Sequence, residues 1–302
     1  MRAAAVSTAS NRSKPVPRVA YNPRMLWRCR HRTIDLTRPV VMGILNVTPD
    51  SFSDGGRYAV LEAALERARQ MVAEGAAIID VGGQSTRPGA LTVEESIEIG
   101  RVVPVIEGIA AGCDVAISID TSKPSVMRAA VAAGACIVND VYALREPGAR
   151  AVAAEAQVGV CLMHMQGEPR TMQDSPHYND VVGEVMTFLS QERRACIEAG
   201  VASDAIALDP GFGFGKSLEH NLTLLRELGR FAALDAPLVV GVSRKSVIGR
   251  ILGKTVHDRL HGGLGLAALA VANGARIIRS HDVAPTLDAV RTVSAVLQGL
   301  PA

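Results

Sequence analysis

Short runs of Val, Ile, Leu and Ala recur along this chain, and each ends in a residue able to do chemistry. At or just past the ends stand Asn46, Thr86 with Arg87, Asp120, Asn139, His164, Asp209, Lys245, and Arg279 with His281. A buried carboxylate such as Asp120 or Asp209 takes parallel hydrogen bonds from the edge of a flat amino-heterocycle, and the Asn139 amide both donates and accepts beside it. Lys245 is suited to a carbonyl oxygen on the same ring. Arg87, Arg279 and His281 form a cationic set suited to phosphate groups. Asn46 offers one oxygen to Mg²⁺, a cation that takes few protein ligands and keeps water and phosphate oxygens. Heterocycle, diphosphate and Mg²⁺ together describe a transferase.

Taken alone, each residue also reads as a helix N-cap or a satisfied strand end. Their grouping depends on the elements that carry them. The apolar runs are Val40–Asn46, Ala76–Val81, Val115–Thr121, Cys136–Val141, Val158–His164, Ala205–Pro210, Pro237–Lys245 and Ala275–His281. Nearly continuous apolar runs of this length are strands covered on both faces. Helical patterns fill the gaps, most clearly over Arg57–Glu74, Asp180–Ala199, Ser217–Phe231 and Asp258–Asn273. Eight strands alternating with helices over about 250 residues predict a closed (β/α)8 TIM barrel of eight parallel strands, an α/β fold whose strand C-termini converge on one face. The first run passes into a polar loop, Val47–Gly56, as expected where a rigid strand positions and a loop closes. Trp27–Leu36 predicts a small N-terminal hairpin at the barrel bottom.

At 302 residues and 48% apolar composition the chain can bury a large core. Its apolar runs are all shorter than the roughly 18 residues of a membrane span, so no membrane partner is expected. The five cysteines form no Cys-x-x-Cys pair, which argues against a disulfide framework or zinc site and for a reducing, cytoplasmic setting. Residues 1–34 hold eight Lys or Arg and no acid, leaving 24 basic against 30 acidic residues in the body. That body is not a nucleic-acid binder. Residues 1–24 lack the amphipathic face of a transit peptide and read as a disordered basic extension, with residues 25–302 as one domain.

Gly211-Phe212-Gly213-Phe214-Gly215-Lys216-Ser217 approaches a phosphate-binding loop, but three residues separate Gly211 from Gly215 where the cradle needs four. It also fails as a dinucleotide fingerprint, since Pro210 interrupts the strand-to-turn junction. It reads as a Gly-rich turn lining the site beside Asp209.

Longer stretches are more specific. Gly43–Gly56 (GILNVTPDSFSDGG) and Asp80–Gly89 (DVGGQSTRPG), followed in order by Ile119–Pro124, Val138–Asp140, Leu162–Gly167, Leu208–Lys216, Gly241–Ser246 and Ile278–Val283, resemble the dihydropteroate synthase family. The resemblance covers residues 33–296. It implies an enzyme of folate biosynthesis, inhibited by sulfonamides, that joins 4-aminobenzoate to the dihydropterin-methyl group of its diphosphate. Asp120, Asn139, Asp209 and Lys245 would then hold the pterin, and Met163 and Phe214 would also bind substrate. Asn46 would hold Mg²⁺, and Arg279 and His281 the diphosphate. Phe52, Thr86, Arg87, Pro88, Ser243 and Arg244 would line the aminobenzoate pocket, and the loops after strands one and two would close over it. Asn46, Asp120, Lys245, Arg279 and His281 are the catalytic candidates, acting through dissociative, Mg²⁺-assisted loss of diphosphate. The resemblance further implies a homodimer. Gln84 departs from the family's usual Glu, and no chemistry is placed on it.

The alternative is a pterin-binding methyltransferase acting on methylated folate, which shares the pterin-facing residues but does not need the diphosphate set. Arg87, Arg279 and His281 favour the synthase.

Overall fold

Alternation along the parallel strands decides what each side chain faces, because successive residues of a strand point to opposite sides. The computed structural model describes residues 25–48, 57–85, 92–168 and 171–300. After a hairpin of β1 (Leu26–Cys29) and β2 (Arg32–Asp35) come the parallel strands β3 (Val40–Asn46), β4 (Ile78–Gly82), β5 (Ala116–Asp120), β6 (Ile137–Asp140), β7 (Gly159–Met163), β8 (Ile206–Asp209), β9 (Val239–Gly241) and β10 (Ile277–Ser280). They are ordered β8-β7-β6-β5-β4-β3-β10-β9. A parallel bridge from Leu208 to Leu238 brings the two ends of the sheet together and makes the barrel.

Helices lie between the strands: α1 (Arg57–Ala73), α2 (Glu95–Gly112), α3 (Pro124–Ala133), α4 (Ala149–Ala156), α5 (Val181–Glu198), α6 (Leu218–Arg226), α7 (Ser246–Leu252), α8 (Leu260–Ala272) and α9 (Val283–Gln298). The helix expected over Ser217–Phe231 divides. Ser217 caps α6 by accepting from the His220 amide, but α6 ends at Arg226 and a 3-10 turn takes Leu228–Leu234. Gly229 lies in that turn, where a glycine weakens an α-helix. No helix of the described residues is long and apolar enough to cross a membrane.

One set of alternate strand residues, including Val41, Leu45, Ile79, Val81, Ile117, Ile119, Val160 and Ile278, packs outward against the helices. The other set faces inward. Its lower members, Met42, Ile78, Ala116, Ile137, Cys161, Ala207, Val239 and Ile277, join Trp27, Cys29, Ile34 and Leu36 in a second cluster. The hairpin therefore closes the barrel bottom, as expected. Trp27 is fully buried and its indole Nε1 donates to the Ala205 carbonyl at 2.9 Å. Gly159 is required here, since a Cβ on it would lie 2.5 Å from Cys29 Sγ. All five cysteines are free thiols. With the bottom sealed by apolar side chains, polar chemistry is confined to the opposite end.

Candidate active site

Above that apolar floor the inward positions turn polar. Asp80 on β4 is fully buried. Its Oδ2 accepts from Asn139 Nδ2 on β6 at 3.0 Å and from Arg279 Nε on β10 at 2.6 Å. Arg279 Nη2 reaches across to Asp120 Oδ2 on β5, also at 2.6 Å. A long side chain from the eighth barrel strand thus spans the interior to two carboxylates, and Asp80 joins it to the Asn amide. Asp80 Oδ1 has no hydrogen-bond partner among the described residues. Gly82, the next inward position on β4, carries no side chain. A Cβ there would stand 3.6 Å from Asn46 Oδ1 and 3.9 Å from Asp120 Oδ2, so the Asn46 amide oxygen and the Asp120 carboxylate border the same space.

A second wall comes from β7, β8 and the Gly-rich turn. Asp209 Oδ1 accepts from the Gly211 amide at 2.7 Å. Lys245 Nζ donates to the Phe212 carbonyl and lies 4.5 Å from the Phe214 ring centroid. Phe214 packs on a cluster of Val141, Met163, Met165 and Met172, an apolar surface suited to the face of a planar ring. The turn is held by the buried Lys216, whose Nζ reaches His164 Nδ1 at 2.9 Å and donates to the carbonyls of Gly211 (2.9 Å) and Phe214 (3.0 Å). Only glycine fits at the turn's two ends. A Cβ would lie 1.8 Å from the His164 carbonyl oxygen at Gly211 and 2.3 Å from that of Gln166 at Gly215, and both residues have positive φ.

The third wall joins β9 to β10. Ser243 Oγ lies 3.1 Å from His281 Nδ1, and Arg244 pairs with Asp282 at 2.5 Å. The two signatures that end these strands are therefore tied side chain to side chain.

Burial sets the electrostatics. It pushes the Asp120 carboxyl up to about 7; Arg279 opposes this, whereas Asp80 and Asp140 add to it. Asp140 also rises to about 7 through burial, although the amides of Tyr142 and Leu144 bond to it. Asp209 is raised by burial against the pull of Lys245, and burial lowers Lys245 to about 8. Burial would lower Arg279 as well, but Asp80 and Asp120 outweigh it and keep the guanidinium charged. His164 falls to about 3 through burial and the neighbouring Lys216, so it stays neutral.

The barrel brings together Asn46, Asp120, Asn139, Met163, Asp209, Phe214, Ser243, Arg244, Lys245, Arg279 and His281 at strand ends or in the loops just beyond them. Phe52, Thr86, Arg87 and Pro88 lie outside the described residues, as do residues 1–24 and most of both loops expected to close. His164, one of the strand-end polar groups, instead supports Lys216. Gln84 also has a local partner: its Oε1 accepts from Lys123 Nζ at 2.7 Å and from the Val93 amide at 3.1 Å, while Lys123 pairs with the buried Glu98 at 2.6 Å. A neutral amide here avoids a second carboxylate beside Glu98. Two residues carry more than sequence reasoning assigned them. Asp80 stands unmarked inside a signature, and Lys216 follows a glycine-rich stretch that only approaches a phosphate-binding loop. Nothing in sequence spacing distinguishes a lysine that binds ligand from one that binds its own loop.

Among the described residues no group of three or more His, Cys, Asp or Glu is placed to hold a metal ion. The single neutral oxygen of Asn46 at the mouth fits a cation such as Mg²⁺, which needs few protein donors.

Residues 42–281 match the family model described as pterin binding enzyme. The chain is 52% identical over 265 residues to the dihydropteroate synthase of Escherichia coli (strain K12), covering 88% of this chain and 94% of that protein. It superimposes on the Yersinia pestis dihydropteroate synthase in a sulfonamide drug complex with a TM-score of 0.85, at 48% identity, covering 90% of this chain and 98% of that one. The Xanthomonas albilineans dihydropteroate synthase with 4-aminobenzoic acid gives a TM-score of 0.86 at 47% identity, covering 92% and 100% of the two chains.

Proposed function

Because this chain belongs to the dihydropteroate synthase family of pterin-binding enzymes, we propose that it condenses (7,8-dihydropterin-6-yl)methyl diphosphate with 4-aminobenzoate to 7,8-dihydropteroate and diphosphate by a dissociative route. The observation that carries the mechanism is Arg279, a buried guanidinium set between Asp80 and Asp120 with the Asn46 amide oxygen bordering the same space.

Asp120, Asn139 and Asp209 take the donor edge of the pterin, Lys245 its carbonyl oxygen, and the Met163 and Phe214 surface its face. Each is held by a neighbour before substrate arrives, so little ordering remains to be done on binding. The C–O bond to diphosphate breaks with its electron pair going to oxygen, and Arg279 and His281 stabilise the negative charge that appears there. Asn46 would hold Mg²⁺, which when bound would supply further positive charge against the departing diphosphate. The aniline nitrogen of 4-aminobenzoate, a weak nucleophile, then bonds to the exposed carbon and loses its proton to solvent. Ser243 and Arg244, with Phe52, Thr86, Arg87 and Pro88, hold this second substrate, and a sulfonamide competes for the same place. The direct test is product formation from the two substrates by the purified chain. Absence of dihydropteroate under conditions that saturate both would overturn the reading.

Asp209→Asn is nearly isosteric and should fold normally, yet weaken binding of a non-reactive dihydropterin by about 1.5 to 2.5 kcal/mol through loss of charge-assisted hydrogen bonds. Titration calorimetry measures this, and unchanged affinity would place the recognition edge elsewhere.

The raised carboxyl of Asp120 makes recognition depend on pH. Its protonated form cannot accept on both oxygens, so dihydropterin affinity should rise with pH through about 7. The gain is expected to be about 10-fold between about pH 6 and about pH 8, and Asp120→Asn should flatten it. A pH-independent wild-type affinity would remove Asp120 from the recognition edge.

We further propose a homodimer formed through α7, α8 and α9, which expose Ile251, Leu252, Leu269 and Leu297. Leu260–Ala272 contains no Asp, Glu, Lys or Arg, and such an apolar helix surface is unusual in a monomer. Leu269→Glu should convert the dimer to monomer in sedimentation velocity. A wild-type chain that sediments as a monomer at high micromolar concentration would refute this.

A further inference from the structure

We propose that Asp80 is the positioning residue of this site. Its one carboxylate fixes the Arg279 guanidinium and the Asn139 amide as a single unit, coupling stabilisation of the leaving group to pterin recognition. The inference rests on the proposed reaction for its kinetic consequence and on geometry for the rest.

Both hydrogen bonds to Asp80 end on the same oxygen. Oδ2 accepts from Arg279 Nε at 2.6 Å and from Asn139 Nδ2 at 3.0 Å, so neither donor can turn without disturbing the other's acceptor. Asp80 itself has no freedom, being fully buried on a strand paired on both sides. Its register partners are Ile44 on β3 and Ser118 on β5, which puts it one pleat below the Gly82 and Asp120 pair. A residue at that depth supports the groups at the mouth from beneath.

The two carboxylates around Arg279 are not equivalent. Asp80 holds Nε, the nitrogen nearest the side-chain stem, and Asp120 holds the terminal Nη2 from the mouth level. A diphosphate can therefore draw the terminal nitrogens away from Asp120 while the Asp80 bond persists as a pivot. Oδ1 of Asp80 has no partner among the described residues. An unmet buried acceptor is costly, and here it leaves Asp80 able to take a further donor without releasing Arg279 or Asn139.

The test uses a nitrogen-15 spectrum of the purified chain with and without inorganic diphosphate and Mg²⁺, alongside steady-state kinetics. In the wild type the Arg279 Nε–H signal, assigned by its loss in Arg279→Lys, should be protected from solvent exchange and remain so when diphosphate is added. In Asp80→Asn it should exchange at least roughly 10-fold faster, with the fold retained. That variant should lower kcat by roughly 30- to 100-fold and leave KM for 4-aminobenzoate within about 3-fold, since the second substrate does not touch the unit. Acting through Arg279, Asp80→Asn should cost less than about 3-fold more when added to Arg279→Ala. Multiplying effects in the double variant, or a wild-type Nε–H that exchanges freely, would overturn the inference. The exchange arm also decides it if Asp80→Asn fails to fold or if the wild type forms no dihydropteroate; the latter result refutes only the proposed function.

Discussion

Arg279→Ala is expected to lower kcat/KM by roughly 100- to 1,000-fold, the usual cost of removing one well-placed charge-stabilising donor. Two effects act together. The first is direct: on the proposed route Arg279 offsets charge on the departing diphosphate. The second follows from its neighbours, for Asp80 and Asp120 both pair with it at 2.6 Å. Removing the guanidinium leaves two buried carboxylates facing each other, and breaking one member of a buried pair costs more than the pair ever contributed. Asp120, already lifted to about 7 by burial, loses the group that opposes the rise and takes up a proton at neutral pH. Dihydropterin binding should weaken in parallel. Arg279→Lys keeps a charge without the two-armed geometry and should recover only part of the rate. Near wild-type kcat/KM in the alanine variant would show that the leaving group is stabilised elsewhere.

The largest effect on stability is expected at the other end of the barrel. Trp27→Ala should destabilise the fold by about 3 to 5 kcal/mol, as large-to-small changes at fully buried aromatic positions do. Trp27 packs against the inward floor residues Ile78, Ala116, Ile137 and Ala207 within one cluster, and its indole satisfies the Ala205 carbonyl. Truncation opens a cavity among eight strand ends and orphans that carbonyl. Trp27→Phe keeps most of the packing and should lose about 1 to 2 kcal/mol, most of it the hydrogen bond. Urea unfolding followed by far-ultraviolet circular dichroism measures both. The chain has a single tryptophan, so wild-type fluorescence reports the barrel bottom directly. A loss under about 1.5 kcal/mol for Trp27→Ala would mean that the hairpin rests on the barrel without completing its core. Turnover by the folded fraction should be unchanged, because the floor separates Trp27 from the mouth.

Apolar patterning along the chain is enough to specify the barrel and most of its mouth. Eight apolar runs, each long enough for a strand buried on both faces and each followed by a helical pattern, leave few arrangements besides a closed parallel barrel. Since every parallel strand must then point the same way, the polar residues ending those runs had to meet. Asp120, Asn139, Asp209, Lys245 and Arg279 are therefore grouped by strand polarity alone. The hairpin around Trp27 was legible for a similar reason, as an apolar pair of short segments preceding the first strand with a barrel end left to cover.

Which of those side chains face one another, and which are structural, depends on how the eight strands close. Asp80 and Val81 are neighbours in the chain, yet strand alternation sends Val81 to the helices and Asp80 to the interior. Within a continuous apolar run, the inward phase is set by shear and closure, which are properties of all eight strands together. The span from Arg279 to Asp80 and Asp120 crosses 199 and 159 residues of sequence; no local pattern encodes it. The same holds for Lys216, which looks like a ligand-binding lysine beside its glycines but is enclosed by His164 and the carbonyls of its own turn. Local sequence chooses strand or helix through side-chain shape and spacing. Partner and protonation state follow from distance and burial, and both come into being only when the barrel closes.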